Sequence, residues 1–444
     1  MAIFAEARLL SIPSRLLKSK SVRNITLVAA GTAGAQLINV AFAPVITRLY
    51  GPEAFGILGT FVAILAILTP LASLSYPIAI VLPRDHQAAA QLARASVWIA
   101  VLMTLLTALV FVFFKAPIVQ LFDLQTVEPY LFLVPLSMFF SALVAIASNW
   151  ILRYKLFKVS ARVTVLQALF ANIAKTGVGL IFPVAAALIV VASAATLLHC
   201  FMLWFGIRRE STIKEPSAEA VTNTKELLLR HKDFPLYRTP QIVINSIGQS
   251  LPILMIASLF GPAAAGLYAL PKTILGMPTI LIGKSVSSVF YPQFVENVRD
   301  GKNGHRILLR ATTSLLAVGG LVYAPVILLG PWLFALVFGD EWYAAGEYAR
   351  WMSFWFIAIL ATRPVIAAIP VLNLQGVFLI FEIAALALRA FAIYAGYTIT
   401  SSALGAVAAF SLSCVLLFLI LTLLVLRRAA THKQLDDGSG NVSG

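Results

Sequence analysis

Apolar stretches of about 20 residues recur along the whole chain, and each is bounded by charged residues or by Pro and Gly. A helix needs about 20 apolar residues to cross the hydrocarbon core of a bilayer, so each stretch predicts one membrane span. The stretches are continuously apolar rather than alternating with a period of two, which excludes an outer-membrane barrel. Twelve spans are predicted, at residues 24–45, 55–76, 92–114, 129–152, 163–182, 184–207, 241–260, 266–291, 309–329, 347–369, 377–397 and 402–426.

The composition agrees with an all-α protein that crosses a bilayer many times. Of the 444 residues, 60% are apolar and 11% are charged, whereas soluble domains are about half apolar and a quarter charged. A water-soluble enzyme is therefore excluded. Cys200 and Cys414 lie inside apolar stretches, so neither a disulfide framework nor a Cys/His metal site is expected, and we predict no cofactor and no metal.

The distribution of basic residues predicts the orientation in the membrane. A formal charge of +15 would suggest nucleic acid in a soluble protein. Here, placing both termini in the cytoplasm puts 25 Lys and Arg residues in cytoplasmic segments and 2 in outer loops. This asymmetry is the one that the positive-inside rule requires. We therefore predict a multi-pass membrane protein with cytoplasmic termini and without a nucleic-acid partner.

The loops divide the chain into two sets of six spans. The longest connection, residues 208–240, is polar and falls in the middle. The predicted organisation is a basic cytoplasmic N-terminal segment (1–23), an N-terminal six-helix bundle (24–207), a cytoplasmic linker (208–240), a C-terminal six-helix bundle (241–426) and a cytoplasmic tail (427–444).

A short motif occurs once in each half. Residues 46–56 and residues 256–266 both read as aliphatic, aromatic, Gly-Pro, three residues and Gly, at an offset of 210. A weaker match at an offset of 216 aligns Leu121-Phe122 with Val337-Phe338. Because six spans separate the copies, both halves would enter the membrane in the same orientation, which is the parallel-repeat plan of secondary transporters. The alternative is a chance recurrence of Gly-Pro turns at helix ends.

These residues carry a family resemblance. Arg48–Gly56 after the first span, Phe234–Tyr237, Gly261-Pro262 and Val289–Pro292 resemble, in order and spacing, the O-antigen and exopolysaccharide flippases of the multidrug/oligosaccharidyl-lipid/polysaccharide superfamily. The resemblance implies two six-helix bundles in a V around a central cavity. It implies alternating-access transport of an undecaprenyl-diphosphate-linked oligosaccharide across the inner membrane, for O-antigen, capsule or exopolysaccharide assembly. Membrane lipids, a polysaccharide polymerase and glycosyltransferases are the partners that it implies.

Basic residues inside the spans point independently to an anionic substrate. With Arg94, Arg310 and Glu347 at the span ends counted in the loops, six Lys and Arg residues and one acid, Glu382, fall within spans, a net charge of +5. Each charge at a helix centre costs about 2.5–3.5 kcal/mol, so an uncompensated excess is expensive. A diphosphate visiting the cavity would supply both charge and hydrogen-bond acceptors. The predicted cavity residues are Lys175, Lys284, Arg363 and Arg389, with Arg48 at the outer rim; a structural role remains open for each.

Polar stripes predict further cavity-lining residues. Gln36 and Asn39 share a face of the first span, and Gln241, Asn245 and Gln249 follow strict i, i+4 spacing on the seventh. Sugar hydroxyls would suit these amides, but helix–helix hydrogen bonding explains such stripes equally well. Lys272 and Arg350 lie near outer span ends, where interfacial anchoring is the alternative. Glu382 is the candidate for coupling to an ion.

Two other functions compete with the flippase. A cation- or proton-coupled multidrug exporter of the same superfamily needs buried carboxylates, whereas the spans hold only Glu382. A membrane enzyme of polysaccharide assembly, either a polymerase or a lipid-linked glycosyltransferase, resembles proteins with a large outer loop or an outer acidic pair. Asp340-Glu341 is the one such pair in short outer loops, and we interpret it as an acidic rim. The sequence therefore favours a transporter without catalytic residues.

Overall fold

A computed structural model describes residues 20–210, 224–299 and 303–439, with side chains outside 20–26, 121–122, 284–289, 299 and 431–439. This part of the chain holds fourteen α-helices and no strand. The first six are α1 (Lys20–Ala72), α2 (Tyr76–Ala79), α3 (His86–Phe122), α4 (Leu133–Arg153), α5 (Phe157–Gly179) and α6 (Ala185–Arg208). The others are α7 (Thr224–Arg230), α8 (Thr239–Phe260), α9 (Pro262–Arg299), α10 (Gly304–Phe338), α11 (Tyr343–Ala361), α12 (Arg363–Ala368), α13 (Gln375–Thr400) and α14 (Ala403–Ser439).

Each predicted span is largely helical, but the first two share one helix, and the tenth is divided between α11 and α12 at Thr362. The first two lie in the single helix α1, which is interrupted at Gly51, where φ is 66° and ψ is 172°. Within the described residues, ten stretches are long and apolar enough to cross a membrane. The fifth predicted span, α5, is not among them because Asn, Gln, Ser, Lys and Arg residues lower its hydropathy. Asn172 of this helix donates to Asn39 of α1, so part of its polar face is paired inside the protein, whereas Lys158 and Arg162 near its start are exposed.

The molecule has two distinct ends along the helix axes. Gly51-Pro52 and Gly261-Pro262 lie at one end, which we call the Gly-Pro end. The connection between the halves lies at the opposite end, which we call the linker end. There the Thr239 hydroxyl donates to the Ser75 hydroxyl at 2.9 Å, and the Tyr76 hydroxyl donates to the carbonyl of Leu228 at 3.3 Å. The start of α8 and the linker helix α7 are thus fastened to the N-terminal half.

The largest buried cluster joins the two halves near the Gly-Pro end. Ala63 of α1 packs with Ile253, Tyr268 and Trp342 of the C-terminal half. Separate apolar clusters hold each half together, one around Met138 and one around Phe410. The arrangement is two helical bundles in contact along α1, α8 and α9, as the sequence predicts for a parallel repeat.

Candidate substrate-binding site

The two copies of the repeated motif have the same backbone conformation. Gly51 has φ 66° and ψ 172°, and Gly261 has φ 84° and ψ 174°. Side chains with a Cβ rarely adopt a positive φ, so glycine is needed at both positions. Each glycine is followed by a proline that begins a new helical stretch. The internal repeat is therefore a structural repeat as well as a sequence match.

The two motifs also pack against each other. A Cβ on Gly56 would overlap the carbonyl of Pro262, and a Cβ on Gly266 would overlap the carbonyl of Pro52. The same hypothetical atoms lie 2.9 Å from the Gly266 nitrogen and 3.0 Å from the Gly56 nitrogen, respectively. Each position thus meets its own equivalent, as in a two-fold symmetric interface. The backbones of α1 and α9 cross here without intervening side chains.

Further contacts close the Gly-Pro end between the halves. The Arg48 guanidinium donates to the carbonyl of Leu336 at 2.9 Å, and the indole nitrogen of Trp342 donates to the carbonyl of Thr47 at 3.2 Å. Leu336 lies in the last turn of α10, whose carbonyls lack helical partners and attract cations. The rings of Phe55 and Trp342 meet edge to face at 5.2 Å. Arg48, predicted at the rim of the cavity, is therefore committed to a contact that joins the halves.

Three polar residues of the N-terminal half form hydrogen bonds between neighbouring helices. The Asn172 amide donates to the side-chain oxygen of Asn39 at 2.7 Å and to the carbonyl of Ala168 at 2.7 Å. The Tyr50 hydroxyl donates to the carbonyl of Lys175 at 2.8 Å. Asn39 is thus engaged in helix–helix hydrogen bonding, the alternative considered for the polar stripe. The Lys175 and Gln36 side chains are both half-buried in this half.

The equivalent face of the C-terminal half is open. Gln241, Asn245 and Gln249 are all exposed on α8. The Gln249 amide donates to the side-chain oxygen of Asn245 at 2.7 Å, and Gln241 accepts from Arg238 at 2.8 Å. The Lys272 ammonium on α9 donates to the carbonyl of Gln249 at 2.6 Å. This face therefore combines amide groups with a positive charge.

Arg389 approaches the same turn of α8 from another helix. Its guanidinium lies 3.7 Å from the place where a Cβ on Gly248 would stand, and Gly248 precedes the residue that accepts from Lys272. The Tyr268 ring lies below the Lys272 ammonium, 5.9 Å from its centroid, and the Tyr268 hydroxyl is within electrostatic range of Arg389. We call Lys272, Arg389 and Tyr268 the basic cluster.

The basic cluster keeps unused hydrogen-bonding capacity. Within the described part of the chain, the buried Nε of Arg389 and the buried hydroxyl of Tyr268 have no hydrogen-bond partner. Buried polar groups are normally paired, so such atoms identify a place where a further group can bind. Two positive charges and two free donors fit a group rich in anionic oxygen atoms.

Arg363 and Lys284 are neighbours at a second point on α9. A Cβ on Gly283 would lie 3.1 Å from Nε of Arg363, which begins α12. Glycine at this position therefore lets the guanidinium lie against α9. Lys284 is the next residue along α9, but its side chain lies outside the described residues. About eleven residues separate this point from Lys272, which is roughly 17 Å along a helix.

The structure thus groups the predicted residues unevenly. Arg389 and Lys272, for which interfacial anchoring is the alternative, both approach the same turn of α8, and Arg363 lies beside Gly283, the residue before Lys284. Lys175 lies in the other half, on α5. Glu382 is half-buried on α13, seven residues before Arg389. Tyr268 and Asn172 were not predicted, although Tyr268 lies one turn from Lys272 on the same helix face.

Comparison with known proteins identifies the family. A family profile described as "Polysaccharide biosynthesis protein" matches residues 45–347. That match covers more than half of the chain.

The chain belongs to this family of polysaccharide biosynthesis proteins.

One protein of teichuronic acid biosynthesis and several solved structures are similar to this chain. Teichuronic acid biosynthesis protein TuaB of Bacillus subtilis (strain 168) is 24% identical over 112 residues, which is 25% of this chain and 23% of that protein. The fold matches an inward-facing multidrug resistance MATE family transporter of the MOP superfamily with a TM-score of 0.71, at 13% identity over 90% of this chain and 96% of that chain. It matches the lipid II flippase MurJ, in an inward closed conformation, with a TM-score of 0.68, at 12% identity over 92% and 91%. The protein is a multi-pass membrane protein with a transporter fold.

MATE family transporters solved in two conformations match this fold with different TM-scores. An outward-facing MATE family transporter matches with a TM-score of 0.57, at 13% identity over 93% of this chain and 95% of that chain. The inward-facing one, at the same identity, matches with 0.71.

Proposed function

We propose that this protein is a flippase that moves an undecaprenyl-diphosphate-linked oligosaccharide across the bacterial inner membrane. The basic cluster is the observation that carries the proposal, because its two cations and unpaired donors match a diphosphate and would be costly without an anion. The family membership and the fold of a lipid II flippase support a lipid-linked substrate. The partners are then the glycosyltransferases and the polymerase that make and consume the repeat unit.

We infer an orientation and a mechanism from the same features. With the linker end in the cytoplasm, the closed Gly-Pro end faces the outside, and the diphosphate enters from the cytoplasm between the bundles. It binds at Lys272 and Arg389 with the lipid tail in the bilayer, while Lys284 and Arg363 lie along the path. Gln241, Asn245 and Gln249 offer hydrogen bonds to sugar hydroxyls. Separation of Arg48 and Trp342 from their acceptors then opens the outer side.

A vesicle assay tests the proposal directly. Purified protein is reconstituted in liposomes that carry a fluorescent undecaprenyl-diphosphate-linked disaccharide, and dithionite reports how much label reaches the outer leaflet. We expect protein-dependent transfer that the Lys272→Ala/Arg389→Ala double variant abolishes. Lys115→Ala is the matched control, because Lys115 forms an ion pair with Glu128 at 2.8 Å in an exposed position.

The alternatives give different results in the same system. Transfer equal to that of protein-free liposomes would refute the flippase function. Export of ethidium against a proton gradient, without transfer of the lipid-linked sugar, would assign the protein to the multidrug exporters. Incorporation of label into longer saccharides would indicate an enzyme of polysaccharide assembly.

A further inference from the structure

A groove lies on the C-terminal half at the linker end, away from the basic cluster. It has a volume of about 290 Å³ and lies between the first turns of α13 and the last apolar turns of α14. Phe378 and Phe381 line it from α13, Leu421 and Val425 form its floor on α14, and Arg427 and Arg428 stand at one end. Leu421 and Val425 are buried, whereas both arginines are exposed.

The position of the groove relative to the membrane follows from the helices. The stretches Gln375–Thr400 and Ala403–Ala430 are both apolar enough to span a bilayer. The groove occupies the linker-end turns of both, so its apolar part lies in the hydrocarbon region and the arginines lie at the level of the headgroups. Basic residues at that level attract anionic lipids, and basic pockets between spanning helices bind their headgroups.

We propose that this groove binds one anionic phospholipid, with an acyl chain along Phe378, Leu421 and Val425 and the phosphate at Arg427 and Arg428. The apolar floor matches the chain and the adjacent guanidinium groups match the phosphate. Both ends of the lipid are thus recognised. This inference does not depend on the proposed transport function.

The N-terminal half provides an internal comparison, because it has the same elements at equivalent places in the sequence. The starts of α5 and α13, Phe157 and Gln375, are 218 residues apart, and so are the starts of α6 and α14, Ala185 and Ala403. The last span of the N-terminal half also ends in an arginine pair, Arg208-Arg209. The same arrangement of charge therefore occurs at the end of each half.

Residue size decides whether the two helices leave a gap. In the N-terminal half, a Cβ on Gly206 would overlap the side chain of Val159, so α5 and α6 are in close contact. Arg208 there stacks on Trp204 of its own helix, 3.8 Å from the ring centroid. At the same offset of 218, the corresponding residues of the C-terminal half are Leu424 and Val377, which both line the groove, and Leu424 is larger than Gly206. The groove is a departure from the repeat rather than a consequence of it.

Native mass spectrometry of the delipidated full-length protein tests the inference. Palmitoyl-oleoyl phosphatidylglycerol and the phosphatidylcholine with the same chains are titrated separately. We expect one phosphatidylglycerol molecule to bind tightly and phosphatidylcholine to bind at least tenfold more weakly. Arg427→Gln/Arg428→Gln should weaken phosphatidylglycerol binding by about 10- to 30-fold, because each basic residue near the surface contributes about 1 kcal/mol.

Two variants distinguish lipid binding in the groove from attraction of the lipid to positive charge anywhere on the surface. Arg208→Gln/Arg209→Gln removes the same charge from the end of α6, where α5 and α6 are in close contact. This variant should change phosphatidylglycerol binding less than about twofold. Val377→Trp fills the groove at a half-exposed wall position while keeping both arginines, and it should weaken binding as much as the charge removal. Equal effects of the two arginine-pair variants would overturn the proposal, as would unchanged binding to Val377→Trp.

A competition experiment decides between a phospholipid and the polyprenyl carrier. Undecaprenyl phosphate is added at a concentration equal to that of bound phosphatidylglycerol. We expect phosphatidylglycerol to stay bound. Its displacement would overturn the assignment to a phospholipid and would make the groove a docking place for the carrier, whether or not the basic cluster binds the diphosphate.

Discussion

The two halves of the molecule share a backbone plan but use their polar residues differently. In the N-terminal half, Asn39 and Tyr50 are hydrogen-bonded to α5. In the C-terminal half, Gln249 and Lys272 stand on an exposed face, and Arg389 approaches from α13. The position equivalent to Lys272 at the repeat offset is Val62, an exposed apolar residue. Charge in the membrane interior is therefore concentrated on one half.

This difference shows that the two halves share the backbone crossing but not the polar side chains. The crossing of Gly56 and Gly266 is symmetric because both glycines are needed for the same close approach. Side chains away from that crossing have diverged, since nothing in the crossing constrains them. One half thus offers polar groups that stabilise the bundle, and the other offers groups that a ligand can use.

The largest expected effect comes from adding a methyl group at the shared crossing. Gly56→Ala and Gly266→Ala should each destabilise the protein by about 3 kcal/mol, because the new Cβ meets rigid backbone. The measurement is the loss of monodisperse protein after heating, followed by size-exclusion chromatography. Gly320→Ala is the control, because nothing lies within 4 Å of its Cβ position. Very different losses for the two variants would show that the crossing is not symmetric.

The next effect distinguishes the cations of the two halves. Lys272→Ala and Arg389→Ala should each reduce affinity for an undecaprenyl-diphosphate sugar by about 10- to 100-fold, the contribution of a charged hydrogen bond. Lys175→Ala should change it less than about threefold. Binding is measured by intrinsic tryptophan fluorescence in detergent. If Lys175→Ala were as damaging as Lys272→Ala, the division between the halves would be wrong.

A smaller effect tests the structural role of the amides in the N-terminal half. Asn39→Ala and Asn172→Ala should each cost about 1 kcal/mol of stability, as expected for an interhelical hydrogen bond in a membrane. Because they share that bond, the double variant should lose less than the sum of the two. Asn245→Ala, on the exposed face of α8, should leave thermal stability unchanged. Strict additivity of the Asn39 and Asn172 effects would contradict a direct bond.

The smallest expected effect concerns pH and equivalent helix starts. Asp85 caps α3, and hydrogen bonds from the Gln87 and Ala88 amides lower the pKa of its carboxyl below 3.8. Asn303 caps α10 in the other half and does not titrate. A carboxyl whose pKa is lower in the folded than in the unfolded protein stabilises the fold at pH values above its unfolded pKa. This stabilisation is lost as the pH falls through its folded pKa. Wild-type protein should therefore be more stable than Asp85→Asn at pH 7, and the difference should shrink as the pH falls below about 4, the pKa of an unperturbed Asp; an unchanged difference would exclude titration of Asp85 as its cause.

Much of the fold follows from the sequence because a bilayer leaves few choices. Backbone groups in hydrocarbon must be paired within each segment, so apolar stretches of the right length become helices. The Gly-Pro motif likewise indicated the breaks at Gly51 and Gly261, since positive φ needs glycine. Helix α5 shows the limit of hydropathy, because Asn172 lowers its hydropathy but is paired with Asn39 of α1 rather than exposed to lipid.

The candidate site was predicted less well, because it depends on which helix faces which. Arg389 was predicted from its depth in the membrane, but its proximity to Lys272 arises from the packing of α8, α9 and α13. Asn172 lies 133 residues from Asn39, and no local pattern links the two. The acceptor of Arg48 is a backbone carbonyl, and any helix end of the chain offers the same group.

Because Gly56 and Gly266 meet each other, the two halves of this chain resemble two subunits of a dimer that have been joined covalently. An interface in which each position meets its own equivalent is the kind that identical partners form about a two-fold axis. A six-helix ancestor could therefore have assembled as a homodimer through this motif before duplication and fusion. Fusion then released each copy to evolve separately, so one could acquire charge and a lipid groove while the other kept the assembly together.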